Sequence, residues 1–288
     1  MRIAFALLLA FSVAACSAPS KDAVPAVTAV HEPLRIVTLN GTLTEIVAAL
    51  GLGSNIVGTD VTSKYPEAVN ALPKLGHDKG IRAEGILSLG PDLVMANVNQ
   101  LDPAVEGQLR QAGVRLMLFT PLNSIDGTKR LIAQIADSLG RSDDAKAIAK
   151  RIDSDLSGVT ALRSSPKVLF IYARGAGTLL VAGEGTPIQS MITLAGGTNA
   201  ISGFSDFKPL TPEALVAANP DVVLLFNTGA ADLQGHEALL RVPGMASTGA
   251  GRNEAFITLS PVIMAGFGPR VGEAIAKLNA DLRTYVMP

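Results

Sequence analysis

The sequence contains little cysteine, few aromatic residues and no excess of charge of either sign. Cys16 is its only cysteine, so no intrachain disulfide can form and the fold must rely on its hydrophobic core. Aromatic residues make up 4% of the chain and tryptophan is absent, which leaves few side chains for stacking on a flat ligand. The 24 lysine and arginine residues are balanced by 25 acidic residues, whereas nucleic-acid binding requires a clear basic excess. The composition therefore predicts a protein without disulfides that does not bind nucleic acid.

The sequence also lacks the motifs of common envelope enzymes. It has no Gly-x-Ser-x-Gly elbow, no His-Glu-x-x-His zinc motif and no phosphate-binding loop of the nucleotide hydrolases. Gly175-Ala-Gly177 is the nearest approach to a dinucleotide-binding loop, and it lacks the third glycine of that fingerprint. We therefore expect a binding protein with no catalytic cofactor, and an envelope enzyme is the alternative from a different class.

Histidine is also scarce. A receptor for bare zinc or manganese needs several histidines and carboxylates that converge on one ion. The chain has three histidines, of which His31 lies near the N-terminus and His236 in a polar turn region. The sequence therefore disfavours a bare metal ion as the ligand.

The N-terminal residues predict export and attachment to a lipid. Arg2 precedes an apolar run that extends to Ala15 and is too short for a transmembrane helix, which needs roughly 20 apolar residues. Residues 13–16, Val-Ala-Ala-Cys, match the lipobox that directs lipid attachment to the cysteine, although a free Cys16 beside an ordinary cleavage site is the alternative. We expect a signal peptide over residues 1–15 and a tether over residues 16–33, rich in Ser, Ala, Pro and Thr. This predicts a protein of the periplasm or outer cell envelope, anchored to a membrane by lipid on Cys16.

Strands and helices alternate along the remaining chain, which predicts an α/β fold with helices covering parallel sheets. Residues 35–39 are typical of a buried strand, and apolar residues then recur at helical spacing until Gly51. We expect two similar α/β lobes, each with a central and mainly parallel sheet, over residues 34–141 and 164–288. A single long helix over residues 142–163, roughly 30 Å in length, would join them. The ligand cleft would lie between the lobes, and the rigid helix would permit little closure.

An internal echo supports the two lobes. Residues 83–95 resemble residues 212–224, and both segments are typical of a short helix, a Pro-Asp corner and a strand. Glutamate, proline and aspartate stand at the same three places in each: Glu84, Pro91 and Asp92, then Glu213, Pro220 and Asp221. The alternative is chance, because proline cannot continue a helix and is common at such corners. We interpret the echo as one supersecondary unit used once in each lobe.

The chain resembles the helical-backbone class of periplasmic substrate-binding proteins, which serve importers of cobalamin, ferric siderophores and haem. The resemblance covers the folded region almost from end to end and is closest to the haem-binding members. It is carried by the echo and by residues 58–67, 72–76, 83–89, 181–183, 194–197 and 266–270. The resemblance implies a haem-binding lipoprotein that delivers haem for iron acquisition, with a ferric-siderophore or cobalamin receptor as the alternative.

The resemblance implies that Tyr65 is the axial ligand of the haem iron. A tyrosinate oxygen suits ferric iron, and tyrosine is a known protein ligand of haem. A free phenol has a pKa near 10, so iron and a neighbouring cation must favour the phenolate. Family members use an arginine for this, and both Arg174 and Arg270 are candidates. Without the resemblance, Tyr65 would be a half-exposed loop tyrosine ahead of a proline.

Further candidate contacts to haem lie in the long segment that follows Tyr65. His77 stands where several haem binders have an aromatic residue, and it is a candidate distal contact, second ligand or plain surface residue. The cationic residues of the segment could pair with haem propionates or be solvated surface residues: Lys64, Lys74, Lys79 and Arg82.

The resemblance also implies a partner. In this class a glutamate on each lobe docks into a basic pocket of the permease, and the matching residues here are Glu84 and Glu213. Two carboxylates on similar lobes suit a two-fold symmetric permease dimer, although each could merely interact with its own helix dipole. We expect a monomer that binds a haem ABC permease dimer with its ATPase, downstream of an outer-membrane haem receptor.

Overall fold

The structure is a computed structural model that describes residues 34–173, 179–228, 236–261 and 266–286. Within these ranges the strands are β1 (Ile36–Thr38), β2 (Ile56–Thr59), β3 (Leu93–Asn97), β4 (Arg115–Phe119), β5 (Lys167–Ala173), β6 (Leu179–Ala182), β7 (Thr198–Asn199), β8 (Phe207–Pro209), β9 (Val222–Phe226) and β10 (Phe256–Leu259). The α-helices of the described residues are α1 (Gly41–Val47), α2 (Ala83–Leu87), α3 (Pro103–Gln111), α4 (Ile125–Ser138), α5 (Ser142–Leu156), α6 (Pro187–Leu194), α7 (Pro212–Ala218), α8 (His236–Leu240), α9 (Gly249–Arg252) and α10 (Val271–Val286). No helix within these described ranges is long and apolar enough to cross a membrane.

The strands form one sheet in each half of the chain. The N-terminal sheet has the order β2-β1-β3-β4, and all its pairs are parallel. The C-terminal sheet has the order β10-β9-β5-β6-β8, in which β10, β9 and β5 are parallel and β6 and β8 are antiparallel to their neighbours. The predicted α/β class with two mainly parallel sheets is confirmed.

Each lobe contains the same helix-corner-strand unit. Helix α2 leads through Asp92 into β3, and helix α7 leads through Asp221 into β9. Asp92 accepts a hydrogen bond of 2.8 Å from the backbone N–H of Arg35, just before β1. Asp221 accepts one of 2.8 Å from the backbone N–H of Lys167, at the start of β5. In both lobes the aspartate thus connects the corner to the start of the adjacent strand through a hydrogen bond, which explains why it recurs in the sequence.

The two lobes share one hydrophobic core cluster, and each lobe has a further cluster of its own. Helix α5 packs against α4 and α10, and α10 also packs against α6. A single buried cluster runs through both halves of the chain and includes Leu43, Ile46, Ile132, Ile135, Ile152, Val168, Phe170, Ile192 and Leu278. Asn123 Nδ2 donates to the Gly185 carbonyl at 3.2 Å, which adds a polar contact between the lobes. A continuous core of this kind favours small adjustments over a large hinge motion.

The connecting helix is shorter than its sequence periodicity predicts. Helix α5 begins at Ser142 as expected but ends at Leu156, so it spans about 22 Å. The chain turns at Gly158, and the backbone N–H and C=O of Thr160 then bond to the side chain of Asn279 at 3.1 and 2.8 Å. Asn279 therefore replaces the hydrogen bonds that a longer helix would have made. The apolar residues beyond the turn reach the core from a loop.

Candidate functional site

A cavity of about 230 Å³ lies between the two lobes. The end of β1, helix α1 and the loop after β2 form one wall, and the segment that precedes α10 forms the other. The wall residues among those described are Asn40, Gly41, Thr42, Glu45, Thr62, Lys64, Tyr65, Pro261, Gly266, Gly268 and Arg270. The carboxyl ends of parallel strands lead into this cavity, which is the usual position of ligand sites in α/β proteins.

Tyr65 stands in this cavity with Arg270 stacked on its ring. The guanidinium carbon of Arg270 lies 3.7 Å from the centroid of the phenol ring. Tyr65 is nonetheless 43% exposed, so its ring remains open to a ligand. A guanidinium on an aromatic face is attracted to the ring and brings positive charge close to the phenol oxygen. Of the two candidate arginines, Arg270 is therefore in contact with Tyr65, and Arg174 lies outside the described residues.

Arg270 is fixed by a bidentate ion pair with Glu45 of helix α1. Its Nε donates to Oε1 and its Nη2 to Oε2, both at 2.8 Å. The two side chains are only 14% and 11% exposed. The hydrogen bond with Glu45 raises the pKa of Arg270, and this outweighs the opposing effect of burial. The pair joins a helix of the N-terminal lobe to the segment that begins α10, and its planar fork defines the orientation of the guanidinium.

A buried polar network holds the loop that carries Tyr65. Asp60 is 1% exposed, and its Oδ1 accepts from the backbone N–H and hydroxyl of Ser63 at 3.2 and 2.6 Å. Its Oδ2 accepts from the backbone N–H of Thr62 at 3.1 Å and also from the Thr62 hydroxyl. The Ser63 hydroxyl continues the network to Thr44 of α1 at 2.7 Å. The network anchors the loop two residues before the tyrosine.

Lys74 supports the same loop from the opposite side. Its Nζ donates to Thr59 Oγ1 at 2.8 Å and to the carbonyls of Ser63 and Val69, both at 2.9 Å. Burial lowers the pKa of the Lys74 ammonium, and the nearby charge of Lys64 lowers it further. With its hydrogen bonds directed at backbone and hydroxyl groups, Lys74 serves the structure of the loop.

The remaining candidate contacts divide between two places. Lys64 lines the cavity beside Tyr65. Lys79 and Arg82 instead line a separate cavity of about 620 Å³ together with Glu84, and Lys79 donates to the Leu101 carbonyl at 2.6 Å. Sequence proximity to Tyr65 therefore does not bring these two cations to it.

His77 faces a neighbouring carboxylate. Its Nδ1 lies 2.8 Å from Oδ2 of Asp78, and its side chain is 57% exposed. It is not among the described residues that line the Tyr65 cavity. A role for His77 in ligand binding stays a prediction.

Glu84 and Glu213 occupy equivalent positions in the two lobes. Each lies in the first turn of a short helix, α2 or α7, and each is exposed. Thr211 caps the second of these helices through a 3.2 Å bond from the backbone N–H of Ala214. The two carboxylates are therefore free to meet a partner, while also lying where a helix dipole favours negative charge.

Two residues of the site, Glu45 and Asp60, belong to no motif of the sequence. Glu45 lies in a helix whose flanking residues Leu43, Ile46 and Val47 are fully buried. A single carboxylate within a buried helix is rare unless it is paired, and that pattern is a signal in the sequence. Within the described part of the chain, no three His, Cys, Asp or Glu side chains cluster closely enough to hold a metal ion.

Comparisons with known proteins agree with this architecture. The family model described as periplasmic binding protein matches residues 36–262. The solved structure of a periplasmic haem-binding protein from Roseiflexus sp. RS-1, in its apo form, is 37% identical, with a TM-score of 0.83, and covers 89% of this chain and 100% of that one. An uncharacterised ABC transporter substrate-binding lipoprotein of Bacillus subtilis (strain 168) is 27% identical over 263 residues, 89% of this chain and 82% of the relative. A vitamin B12-binding protein of Vibrio vulnificus (strain YJ016) is 28% identical over 232 residues, 78% of each chain.

Proposed function

Because the chain belongs to the periplasmic binding protein family, we propose that it captures haem in the cell envelope and delivers it to an ABC importer. The family supplies substrate-binding components of transport systems, so the role of this chain is binding rather than catalysis. The observation that carries the proposal is the exposed Tyr65 in the cavity between the lobes, with Arg270 on its ring.

The chemistry of this pair suits ferric haem. A phenolate oxygen is a hard anionic donor, and tyrosine serves as an axial haem ligand in other proteins. The positive charge of Arg270 stabilises negative charge on the Tyr65 oxygen when that oxygen binds iron. Lys64 lines the same cavity, which supports the proposal that it pairs with a propionate. The similarity to a haem-binding protein of known structure supports the same ligand.

Delivery requires a permease, and the two echoed glutamates are its proposed contacts. Glu84 and Glu213 are exposed on equivalent helices of two similar lobes, an arrangement that suits a two-fold symmetric permease dimer with its ATPase. The similarity to an ABC transporter substrate-binding lipoprotein supports this partner. An outer-membrane haem receptor would supply the ligand from upstream.

Attachment to the membrane is proposed at Cys16. The support is the Val-Ala-Ala-Cys motif over residues 13–16 and the name lipoprotein carried by one relative. Lipid at the end of the tether would keep the binding protein near its permease and raise its local concentration there.

Cobalamin is the second candidate ligand, because one relative is a vitamin B12-binding protein. Cobalamin binding would leave Tyr65 without a role as an iron ligand. The two candidates therefore differ in what they require of a single residue.

A titration with hemin separates these candidates. Purified protein that binds hemin will show a Soret band with saturation, and Tyr65→Ala will weaken binding. Tyr285→Ala is the matched control, because Tyr285 is 40% exposed in α10 and is not among the described residues that line the cavity. Parallel titrations with cyanocobalamin and a ferric siderophore complete the test. Tight cyanocobalamin binding without a hemin Soret band would replace haem by cobalamin.

A further inference from the structure

We propose that Glu45 is a positioning residue for the tyrosine site, which holds Arg270 over the Tyr65 ring and thereby strengthens coordination of iron by Tyr65. The inference rests on the proposed function, because it assigns a role within the same site. Glu45 would act through Arg270 rather than by touching the ligand's iron.

The geometry supports an indirect role. Both carboxylate oxygens of Glu45 accept from Arg270 at 2.8 Å, so the pair fixes the plane of the guanidinium as well as its position. The central carbon of the guanidinium lies 3.7 Å from the centroid of the Tyr65 ring. An arginine held by one bond could rotate away from the ring, whereas a fork with two parallel bonds cannot do so without breaking both.

Because Glu45 is buried, its charge depends on the ion pair with Arg270. Glu45 is 8% exposed, and it is the only charged residue of helix α1. A carboxylate in such a place is retained only where it is paired. The pair also joins two parts of the chain that are far apart in sequence, so it sets the distance between helix α1 and the start of α10.

Other charges lie near the pair and must be separated from its effect. Lys64 lines the same cavity, and Glu273 in the first turn of α10 raises the pKa of Arg270 through its negative charge. Glu273 is exposed. Glu273→Gln is therefore a matched control, since it removes a nearby negative charge without removing the fork.

The first experiment uses the apoprotein. The Nε–H resonance of Arg270 in a nitrogen–proton correlation spectrum is identified by its loss in Arg270→Lys. Tyr65→Ala should shift this resonance, because it removes the ring current of the stacked phenol. In a Glu45→Gln background the same Tyr65 substitution should produce a smaller shift, since one of the two bonds that fix the guanidinium over the ring is lost. Equal shifts in both backgrounds would overturn the inference.

The second experiment measures the rate at which hemin leaves the holoprotein for apomyoglobin. Glu45→Gln should accelerate release by about 10–100-fold, the usual effect of losing a residue that orients a metal ligand. Glutamine can accept only one of the two Arg270 bonds and presents an amide donor to the other. Glu45→Asp restores the carboxylate and should recover part of the loss, and Glu273→Gln should leave the rate near that of the wild type. Unchanged or slower release from Glu45→Gln would contradict the proposal.

Stability is measured in parallel, since a purely structural Glu45 would lower resistance to urea while leaving hemin release unchanged. If the glutamine variant does not fold, Glu45→Asp replaces it, because aspartate holds the carboxylate farther from Arg270 and should release hemin faster than the wild type. A release rate equal to that of the wild type would then refute the role. Absence of hemin binding in the wild type would overturn the proposed function and the inference with it. Normal hemin binding that is insensitive to Glu45 would overturn the inference alone.

Discussion

Asp60 should be the residue on which the order of the tyrosine loop most depends. Its two carboxylate oxygens accept four hydrogen bonds, two from Thr62 and two from Ser63, while the side chain is almost fully buried. Each backbone N–H faces a different oxygen. In Asp60→Asn one of these oxygens becomes an amide group that cannot accept, so one backbone N–H must lose its acceptor whichever way the amide turns.

The loss of stability expected for Asp60→Asn follows from the burial of the groups that bond to Asp60. Ser63 is fully buried and Thr62 is exposed, so the amide NH2 of the introduced asparagine should turn toward Thr62. There water can partly replace the hydrogen bond that the Thr62 backbone N–H loses. Loss of a hydrogen bond to a charged acceptor costs about 1.5–3 kcal/mol, and we expect Asp60→Asn to lower the free energy of unfolding by this amount. The looser loop should also release hemin faster from Tyr65.

The assay is equilibrium unfolding in urea, with hemin release measured on the same samples. Asp78→Asn is the matched control, because Asp78 lies in the same long segment with an exposed side chain and a positive φ of 45° that asparagine tolerates. We expect the control to change stability by no more than about 0.5 kcal/mol. If Asp60→Asn were as stable as the control, the network would not anchor the loop and the reasoning would be refuted.

Three further predictions concern the core, the partner and the anchor. A Cβ on Gly272 would lie 2.7 Å from the Ile152 carbonyl oxygen, so Gly272→Ala should lower the free energy of unfolding in urea by about 1–3 kcal/mol through the α5–α10 contact. Gly107→Ala is the control, because a Cβ there meets open space and should be neutral or slightly stabilising. Reversal of charge at Glu84 and Glu213 together should abolish stimulation of the permease ATPase by hemin-loaded protein without altering hemin affinity, and an unaffected ATPase would exclude these contacts. Cys16→Ser should move the protein from the membrane fraction to the soluble fraction of cells, and continued membrane association would argue against a lipid anchor there.

The repeated corner is the part of the fold that sequence shows best. The proline and aspartate that stand before β3 and β9 act within their own short segments, and Asp92 and Asp221 bond to the adjacent strand in the same way. Local chemistry of this kind repeats whenever the unit repeats. The sequence therefore predicts both lobes from one motif.

The end of the connecting helix could not be predicted in this way. Its apolar periodicity continues past Leu156, yet the helix ends there, and the side chain of Asn279 bonds to the backbone N–H and C=O of Thr160 beyond the turn. Asn279 belongs to a helix far along the sequence. Within residues 142–163 Gly158 is a local signal for a helix end, but the contact with Asn279 lies outside that segment.

The tyrosine site also combines residues that the sequence could indicate with residues that only the fold brings together. Tyr65 and the two candidate arginines, Arg174 and Arg270, could be proposed from the resemblance. Glu45 could not, because its pairing forms only where the two lobes meet. Lys79 and Arg82 follow Tyr65 closely in sequence yet line another cavity, since the intervening loop carries the chain away. Which cations reach a ligand depends on the course of such loops.

The central claim is that Tyr65 binds the iron of haem between the lobes, and a crystal structure of the hemin-loaded protein with an iron anomalous map tests it most directly. The account predicts an iron peak within bonding distance of Tyr65 Oη, with Arg270 still stacked on the ring and paired with Glu45. An iron peak away from Tyr65, or a ligand bound with the phenol unengaged, would contradict it.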